Sequence, residues 1–412
     1  MCAVKTKTSN RDRPATRDRS AKQGLAALPV VMILFFVMAM VAAYTNRNLI
    51  FEQRISASSY QAARALQAAE AAQDWALVML NAGRIDSNCQ PSVDAANTDF
   101  RHRYLTEARS VTGAADGYSV IRRDAPLAQW LRPACVFTDD AGLACICPSL
   151  ANPGLLNSLP SSLGSAFSVR FTLPGNAVRA GALGLLARGC ANQGSGTGSC
   201  VTQTDTPPAV DALVSTQATL GLVRALPRVP TTALTANGAI TGMGAANRPA
   251  TSPWVSDEAG FAALFGMDRL SYRRQPAVVG ITCNGSCTSS SLSAVLDGHP
   301  RNTLWVEGNL VLNTADSLGS AADPLMLIVS GTLTVAARVQ IFGFVHANGI
   351  LWAAGAEAAQ LQGAMVSTAA FTATAIVNPD DLSYNRELLD IIHLRYGSFV
   401  RVPGSWNSTT GP

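Results

Sequence analysis

LAALPVVMILFFVMAMVAAY, residues 25–44, is a run of 20 residues without a charge. A helix of that length, at about 1.5 Å per residue, covers the roughly 30 Å hydrocarbon core of a bilayer. Its flanks are asymmetric. Residues 1–24 hold Lys5, Lys7, Arg11, Arg13, Arg17, Arg19 and Lys22 against Asp12 and Asp18, whereas the first charges beyond the run are Arg47, Glu52 and Arg54. Clustered basic residues tend to stay on the cytoplasmic side, so the N-terminus is expected there and the rest of the chain is expected to be exported. A buried core helix would be shorter and less one-sided. A secretory signal peptide has an apolar core of about 7–15 residues and a small-residue cleavage site, whereas this run is longer and passes into more helix-forming sequence. The expectation is a single membrane span, kept at some stage of the protein's life.

Composition takes its meaning from that segment. The chain has 412 residues and a formal charge of +4; 14% of residues are charged and 48% hydrophobic. So few charges with so many apolar residues exclude a disordered chain, and 33 Gly at no fixed period exclude collagen. A positive balance would suit a nucleic-acid partner, but seven cations against two acids in residues 1–24 leave the remainder at −1. No nucleic-acid partner is expected.

Between Pro29 and Gly83 there is neither Pro nor Gly, and Ala is frequent, which favours helix. Leu49, Ile50, Gln53, Ala57, Tyr60, Ala63, Leu66, Ala69 and Leu77 recur at intervals of three and four. One continuous helix of more than 50 residues is expected, with only its second half packed on a soluble domain.

These residues carry a resemblance. The basic leader ending in Lys22-Gln23-Gly24, followed by the apolar run, resembles the processing site of type IV prepilins. The stretch GLAALPVVMILFFVMAMVAA, then FEQRISASS and ALQAAEAA with AAEAA at Ala68–Ala72, is similar to the N-terminal region of PilX-type minor pilins. The resemblance implies that prepilin peptidase cuts after Gly24 and that the new N-terminus, Leu25, is N-methylated. It implies other minor pilins, the major pilin and a tip adhesin as partners. Most pilins have Glu at the fifth residue after the cut; here that residue is Pro29. Such a Glu neutralises a neighbour's α-amino group in a nearly dry fibre core, where an unpaired charge is costly. Its lack, shared with PilX-like minor pilins and tip pseudopilins of type II secretion, implies a tip or initiating position. Pro29 read on its own merely kinks the first turns of a helix, where Pro is tolerated.

Cys2 lies in the leader. The other cysteines, Cys89, Cys135, Cys145, Cys147, Cys190, Cys200, Cys283 and Cys287, follow the span. In an oxidising periplasm an even set reads as disulfides. Spacing pairs Cys190 with Cys200 and Cys283 with Cys287. A bridge within Cys145-Ile146-Cys147 would be strained, which leaves two ways to join Cys89, Cys135, Cys145 and Cys147. Zinc is the rival reading, but no His stands at matching spacing. No metal and no cofactor are expected.

From Gly83 to Leu226 strand-like runs alternate with Gly/Ser/Pro loops: Ala166–Leu173, Ala182–Arg188 and Leu213–Leu226. Laid against the long helix they fit a pilin-like α+β headpiece. Leu226–Pro230 reads as a boundary. Farther on, WVEGNLVLN (305–313) repeats as IVSGTLTVA (328–336), and VQIFGFVHANGILW (339–352) as AQLQGAMVSTAAFT (359–372). Gly308, Gly331, Gly349 and Ala369 then take equivalent places. A period near 20 points to a β-solenoid, with Val306, Leu310, Val329, Leu333, Ile341, Val345, Leu361 and Met365 as its inner column; a twisted meander is the alternative. Asn378–Tyr396 reads as a capping helix. PilX-like proteins also resemble the tail FVRVPGSWN (399–407).

His102, His299, His346 and His393 are scattered, and no catalytic motif stands out. Glu307, Asp316, Asp323, Arg338 and Glu357 lack rung-to-rung register for a polysaccharide-cleaving site. Asp139-Asp140 and Asp380-Asp381 read as solvated turns before calcium ligands. The expected fold class is α+β: leader 1–24, helix 25–82, disulfide-bearing headpiece 83–226, linker and β-rich region 227–300, and a β-solenoid-like domain with a cap at 301–412. The expected function is a non-enzymatic minor pilin of the pilus tip or priming complex. A tip pseudopilin of a type II secretion system is the nearer alternative and a membrane-anchored carbohydrate-active solenoid the farther one.

Overall fold

The computed structural model describes residues 24–109, 115–120, 123–124, 129–138, 142–149, 164–172, 181–191, 212–243, 256–353, 355–374 and 376–410. The chain divides into two units, Met1–Tyr60 and Gln61–Pro412. Helix α1 (Gly24–Asn81) is 58 residues long and begins in the first unit; its Ala-rich composition and lack of Gly or Pro beyond Pro29 account for its continuity.

From Gln61 onward α1 packs in a headpiece. After α2 (Phe100–Tyr104), capped by the Asp99 carboxylate accepting from the His102 N–H, come two short antiparallel pairs. They are β1 (Leu105–Arg109) with β2 (Ala115–Val120), and β3 (Arg123–Asp124) with β4 (Gln129–Trp130). The main sheet follows: β5 (Ala134–Thr138), β6 (Gly142–Ile146), β7 (Ala166–Thr172), β8 (Ala182–Ala191) and β9 (Ala212–Arg224), antiparallel in the order β9-β8-β7-β5-β6. Alternate residues Phe167, Val169 and Phe171 of β7 and Leu183, Leu185 and Ala187 of β8 share a core with Ala72, Ala76, Met79 and Leu80 of α1. Trp75 stands with its ring centroid 5.7 Å from both Phe100 and Phe167.

The buried stripe of α1 is Ala65, Ala68, Ala69, Ala72, Ala76, Met79 and Leu80. It differs from the stripe expected from spacing: Tyr60 and Ala63 are exposed, Leu66 and Leu77 half-buried, and Ala69 is the shared member. Close approach selects the small residues. A Cβ placed on Gly189 of β8 would lie 2.2 Å from the Ala65 carbonyl oxygen and 2.3 Å from the Ala69 nitrogen, so helix backbone rests directly on strand backbone. The alanines of AAEAA face this contact while Glu70 points to solvent.

The remaining elements form the solenoid and its coverings. In chain order they are β10 (Leu234–Ala236), β11 (Ile240–Thr241), α3 (Asp257–Phe265), α4 (Arg269–Arg273), β12 (Val278–Thr282), β13 (Cys287–Thr288), α5 (Ser289–Leu296), β14 (Thr303–Glu307), β15 (Leu310–Leu312), β16 (Ser317–Leu318), β17 (Leu325–Val335), β18 (Gln340–Trp352), β19 (Gln360–Ser367), β20 (Phe371–Ala373), β21 (Leu382–Tyr384), α6 (Arg386–Arg395), β22 (Gly397–Arg401) and β23 (Asn407–Thr410). Every strand pair from β10 to β21 is parallel. Successive rungs are β12/β13, β14/β15, β16/β17, β18 and β19/β20. All eight residues of the expected inner column lie in one buried cluster. Gly343 and Gly363 stack in register, both at φ 139°, and a Cβ on Gly363 would fall 1.8 Å from the Gly343 oxygen.

Several expectations are corrected here. Leu333 pairs with Ile350, and Ile350 with Phe371. Gly349 stands beside Thr332 rather than Gly331, because a bulge between Val329 and Thr332 shifts the register by one. The solenoid starts at Val278 rather than at residue 301, because β12 pairs with β14. The expected linker also supplies the far end. There β21 pairs with the first part of β19, β10 with its second part and β11 with β20. That last rung is assembled from segments far apart in sequence, which periodicity does not reveal.

The expected cap is placed differently as well. Helix α6 lies on a flank, where Leu389, Ile392 and Tyr396 pack with the outward Met326, Ile328, Phe344, Ala364 and Val366 of three consecutive rungs. The tail then leaves the solenoid: β22 and β23 run antiparallel to β9 in the headpiece sheet.

Candidate functional site

The first half of α1 is the most exposed apolar surface among the described residues. From Ala27 to Ser59 every residue whose burial is described is exposed, including Phe35 at 75% and Phe36 at 62%. The helix is long and apolar enough to cross a membrane: its most apolar window has a mean hydropathy of 2.5 and nothing in it is buried. Gly24 and Leu25 open the helix, and the basic leader before them lies outside the described residues. Pro29 is the sixth helical residue, past the first four positions whose N–H groups are orphans in any helix. It has no N–H to return to the Leu25 carbonyl. One ladder bond is therefore lost in the second turn, where the sequence expectation had placed Pro29 at no cost.

The cysteines divide as follows. Cys89 joins Cys147 across 58 residues and Cys135 joins Cys145 across the β5–β6 hairpin; of the two arrangements left open by spacing, this is the one present. Cys283 joins Cys287 at the turn from β12 to β13. Cys190 is disulfide-bonded, and Cys200, its expected partner, lies outside the described residues.

A buried polar knot ties the end of α1 to the tail and the solenoid. Arg101, 4% exposed, donates to the carbonyls of Leu80 and Gly397 and to Asn81 Oδ1, and its guanidinium lies 4.9 Å from the centre of the Phe399 ring. Asn302 Nδ2 donates to the Asn81 and Ala277 carbonyls at 3.0 and 3.1 Å. Sequence reasoning missed these residues. The only local signal is an Asn ahead of Gly83 at the end of the helix.

His346 on β18 is fully buried beneath the rings of Phe261 and Phe265, at 5.2 and 5.5 Å, and among the described residues neither ring nitrogen has a hydrogen-bond partner. Burial, with Arg269 adding to it, pushes its pKa down to about 3, so the imidazole is neutral. Burial raises the Tyr104 and Tyr272 hydroxyls above the ordinary tyrosine range; they donate to the Pro148 and Ala225 carbonyls. His393 Nε2 accepts from the Arg224 guanidinium at 2.8 Å and Nδ1–H donates to the Leu226 carbonyl at 2.7 Å, tying α6 to the end of β9.

Three of the charged groups singled out in the solenoid have side-chain partners. Glu307 pairs with Arg273, Asp323 with Arg301, and Asp316 accepts from Thr314. Asp381 forms a capping box with Asn378, and Asp139-Asp140 lie outside the described residues. Among the described residues no three His, Cys, Asp or Glu side chains converge on a metal position.

No protein-family model matches the sequence, and no curated protein matches it. Among solved structures, the crystal structure of the competence-associated pilin ComZ from Thermus thermophilus is similar over 85% of this chain and 98% of that one, at 10% identity and a TM-score of 0.23. A likeness so slight carries no inference about this chain.

Proposed function

We propose that this protein is a non-enzymatic minor pilin, a subunit of the tip or priming complex of a type IV pilus. The observation that carries the reading is the construction of α1: an exposed first half that opens on the uncharged run 25–44, continuous with a second half built into an α+β headpiece. Such a helix serves two states in turn. It anchors the chain in the inner membrane, N-terminus cytoplasmic, and after extraction it packs among other pilin helices, where its apolar surface is again out of water.

In this reading prepilin peptidase cuts after Gly24 and Leu25 becomes the methylated N-terminus. Pro29, where most pilins have Glu, offers no carboxylate to a neighbour's α-amino group. A subunit at the tip needs none. The headpiece and solenoid then project outward with a hydrophobic interior, disulfide bridges and the Asn81–Arg101 knot to hold their shape. Other minor pilins, the major pilin and a tip adhesin are its partners.

In-cell cross-linking from residues 30–60 of α1 tests this. Adducts with other minor pilins and the major pilin support the reading; a chain that cross-links to none of them is an anchored surface protein and no pilin.

A further inference from the structure

Beyond the uncharged run α1 presents a different surface. Tyr44, Arg47, Ile50, Phe51 and Arg54 line one groove along the helix. Positions 44, 47, 51 and 54 follow one another at three and four residues and so share a face. Glu52, the acid nearest in sequence, is turned to the opposite side by the 100° step per residue. Tyr44 is 68% exposed and Phe51 65%. Among the described residues neither Arg47 nor Arg54 has an ion-pair or hydrogen-bond partner. Helical side chains lean toward the N-terminus, so both guanidiniums reach back toward Tyr44, where the uncharged run ends.

We propose that this face binds the phosphates of anionic lipid headgroups, with Tyr44, Ile50 and Phe51 seated at the boundary between acyl chains and headgroups. The proposal rests on the membrane reading of residues 25–44. Two features select lipid as the occupant. The face is continuous with the apolar run, so when that run lies in a bilayer the groove stands at headgroup level. Its charge is also one-sided, and a guanidinium fork suits a phosphate better than an apolar partner helix. Aromatic rings at this level are the usual interfacial anchors. A cation beside an anionic surface contributes about fivefold in affinity, so two contribute roughly thirtyfold.

The test uses the full chain in nanodiscs of equal phosphatidylglycerol and phosphatidylcholine. Native mass spectrometry then counts the lipids that leave with the protein. The wild type is expected to retain phosphatidylglycerol in clear excess, and the R47Q/R54Q double variant to retain the two lipids equally. The same excess in both proteins, or no excess in either, overturns the proposal. So does disulfide cross-linking of Ala43→Cys chains, which keep both arginines, to one another in the bilayer without lipid preference, since the groove is then occupied by a second helix. Carbonate extraction separates the underlying reading: both proteins should stay in the membrane, and release of the wild type would refute the span itself.

Discussion

Asn81 and Phe399, 318 residues apart, bond each other twice: the Phe399 N–H donates to Asn81 Oδ1 at 2.8 Å, and Asn81 Nδ2 donates to the Phe399 carbonyl at 3.0 Å. The carboxamide thus pairs with β22 as a neighbouring strand would. It fixes the end of α1 to the returning tail, and Asn302, reaching the Asn81 carbonyl, adds the solenoid to the same point.

Replacing Asn81 with Ala leaves a buried N–H, a buried carbonyl and one Arg101 contact unmet. Each buried group so stranded costs about 1–3 kcal/mol, and Asn81→Ala is expected to lower unfolding stability by roughly 3 kcal/mol or more. Urea denaturation of the detergent-solubilised chain measures it; a loss below about 0.5 kcal/mol would show that the tail is held by β9 alone.

Gly189→Val is expected to part the helix from the sheet. Its Cβ meets α1 backbone, which cannot swing aside as a side chain can, and overpacking of this kind costs about 1–3 kcal/mol or more. Gly142→Ala is the contrast: nothing lies within 4 Å of its Cβ, and its φ of 71° is the sole penalty. Thermal melts of the two variants should rank Gly189→Val well below Gly142→Ala.

The three described disulfides should differ in worth with the length of chain they close. In the chain-entropy view a separation of 58 residues for Cys89–Cys147 corresponds to about 4 kcal/mol, whereas a separation of 4 for Cys283–Cys287 corresponds to about 2 kcal/mol. Paired Cys→Ser variants compared in urea check the order. Equal losses would place the stabilisation elsewhere than in the unfolded chain.

Acid should weaken the solenoid through His346. Its pKa is pushed down to about 3 in the fold against about 6.5 in the unfolded chain. Between those values the unfolded chain binds a proton that the fold refuses. Stability is therefore complete above about pH 6.5 and falls as the pH drops toward 3, by on the order of 5 kcal/mol in all. His346→Phe fits the same aromatic surroundings without the titrating ring, and its melting temperature should decline less between pH 7 and 4. Parallel declines in both proteins would assign the acid sensitivity to other groups.

Much of this architecture is legible in the residues, and what is not has identifiable causes. The long helix follows from an unbroken run of helix formers, and the inner column from alternation within each repeat, a local property. Which face of α1 is buried was not legible, because Gly189 admits the alanine stripe and rejects the larger residues, and nothing in the helix announces Gly189. The final rung joins residues 234–241 to 382–384, and β22 pairs with β9; both are long-range pairings that leave no periodic trace. The slip at Gly349 came from a bulge, which a fixed repeat length passes over. At the candidate site, Gly24, Leu25 and Pro29 are proposed on the motif alone, while Asn81, Arg101 and Asn302 became visible only once the fold had brought them together.

The most direct measurement is the mass of the mature protein after co-expression with prepilin peptidase. The account predicts loss of residues 1–24 and a chain that starts with N-methylated Leu25, with Gly24→Lys blocking the cut and keeping the protein out of pili. An intact leader in the presence of active peptidase, or a mature N-terminus at any other residue, would contradict it.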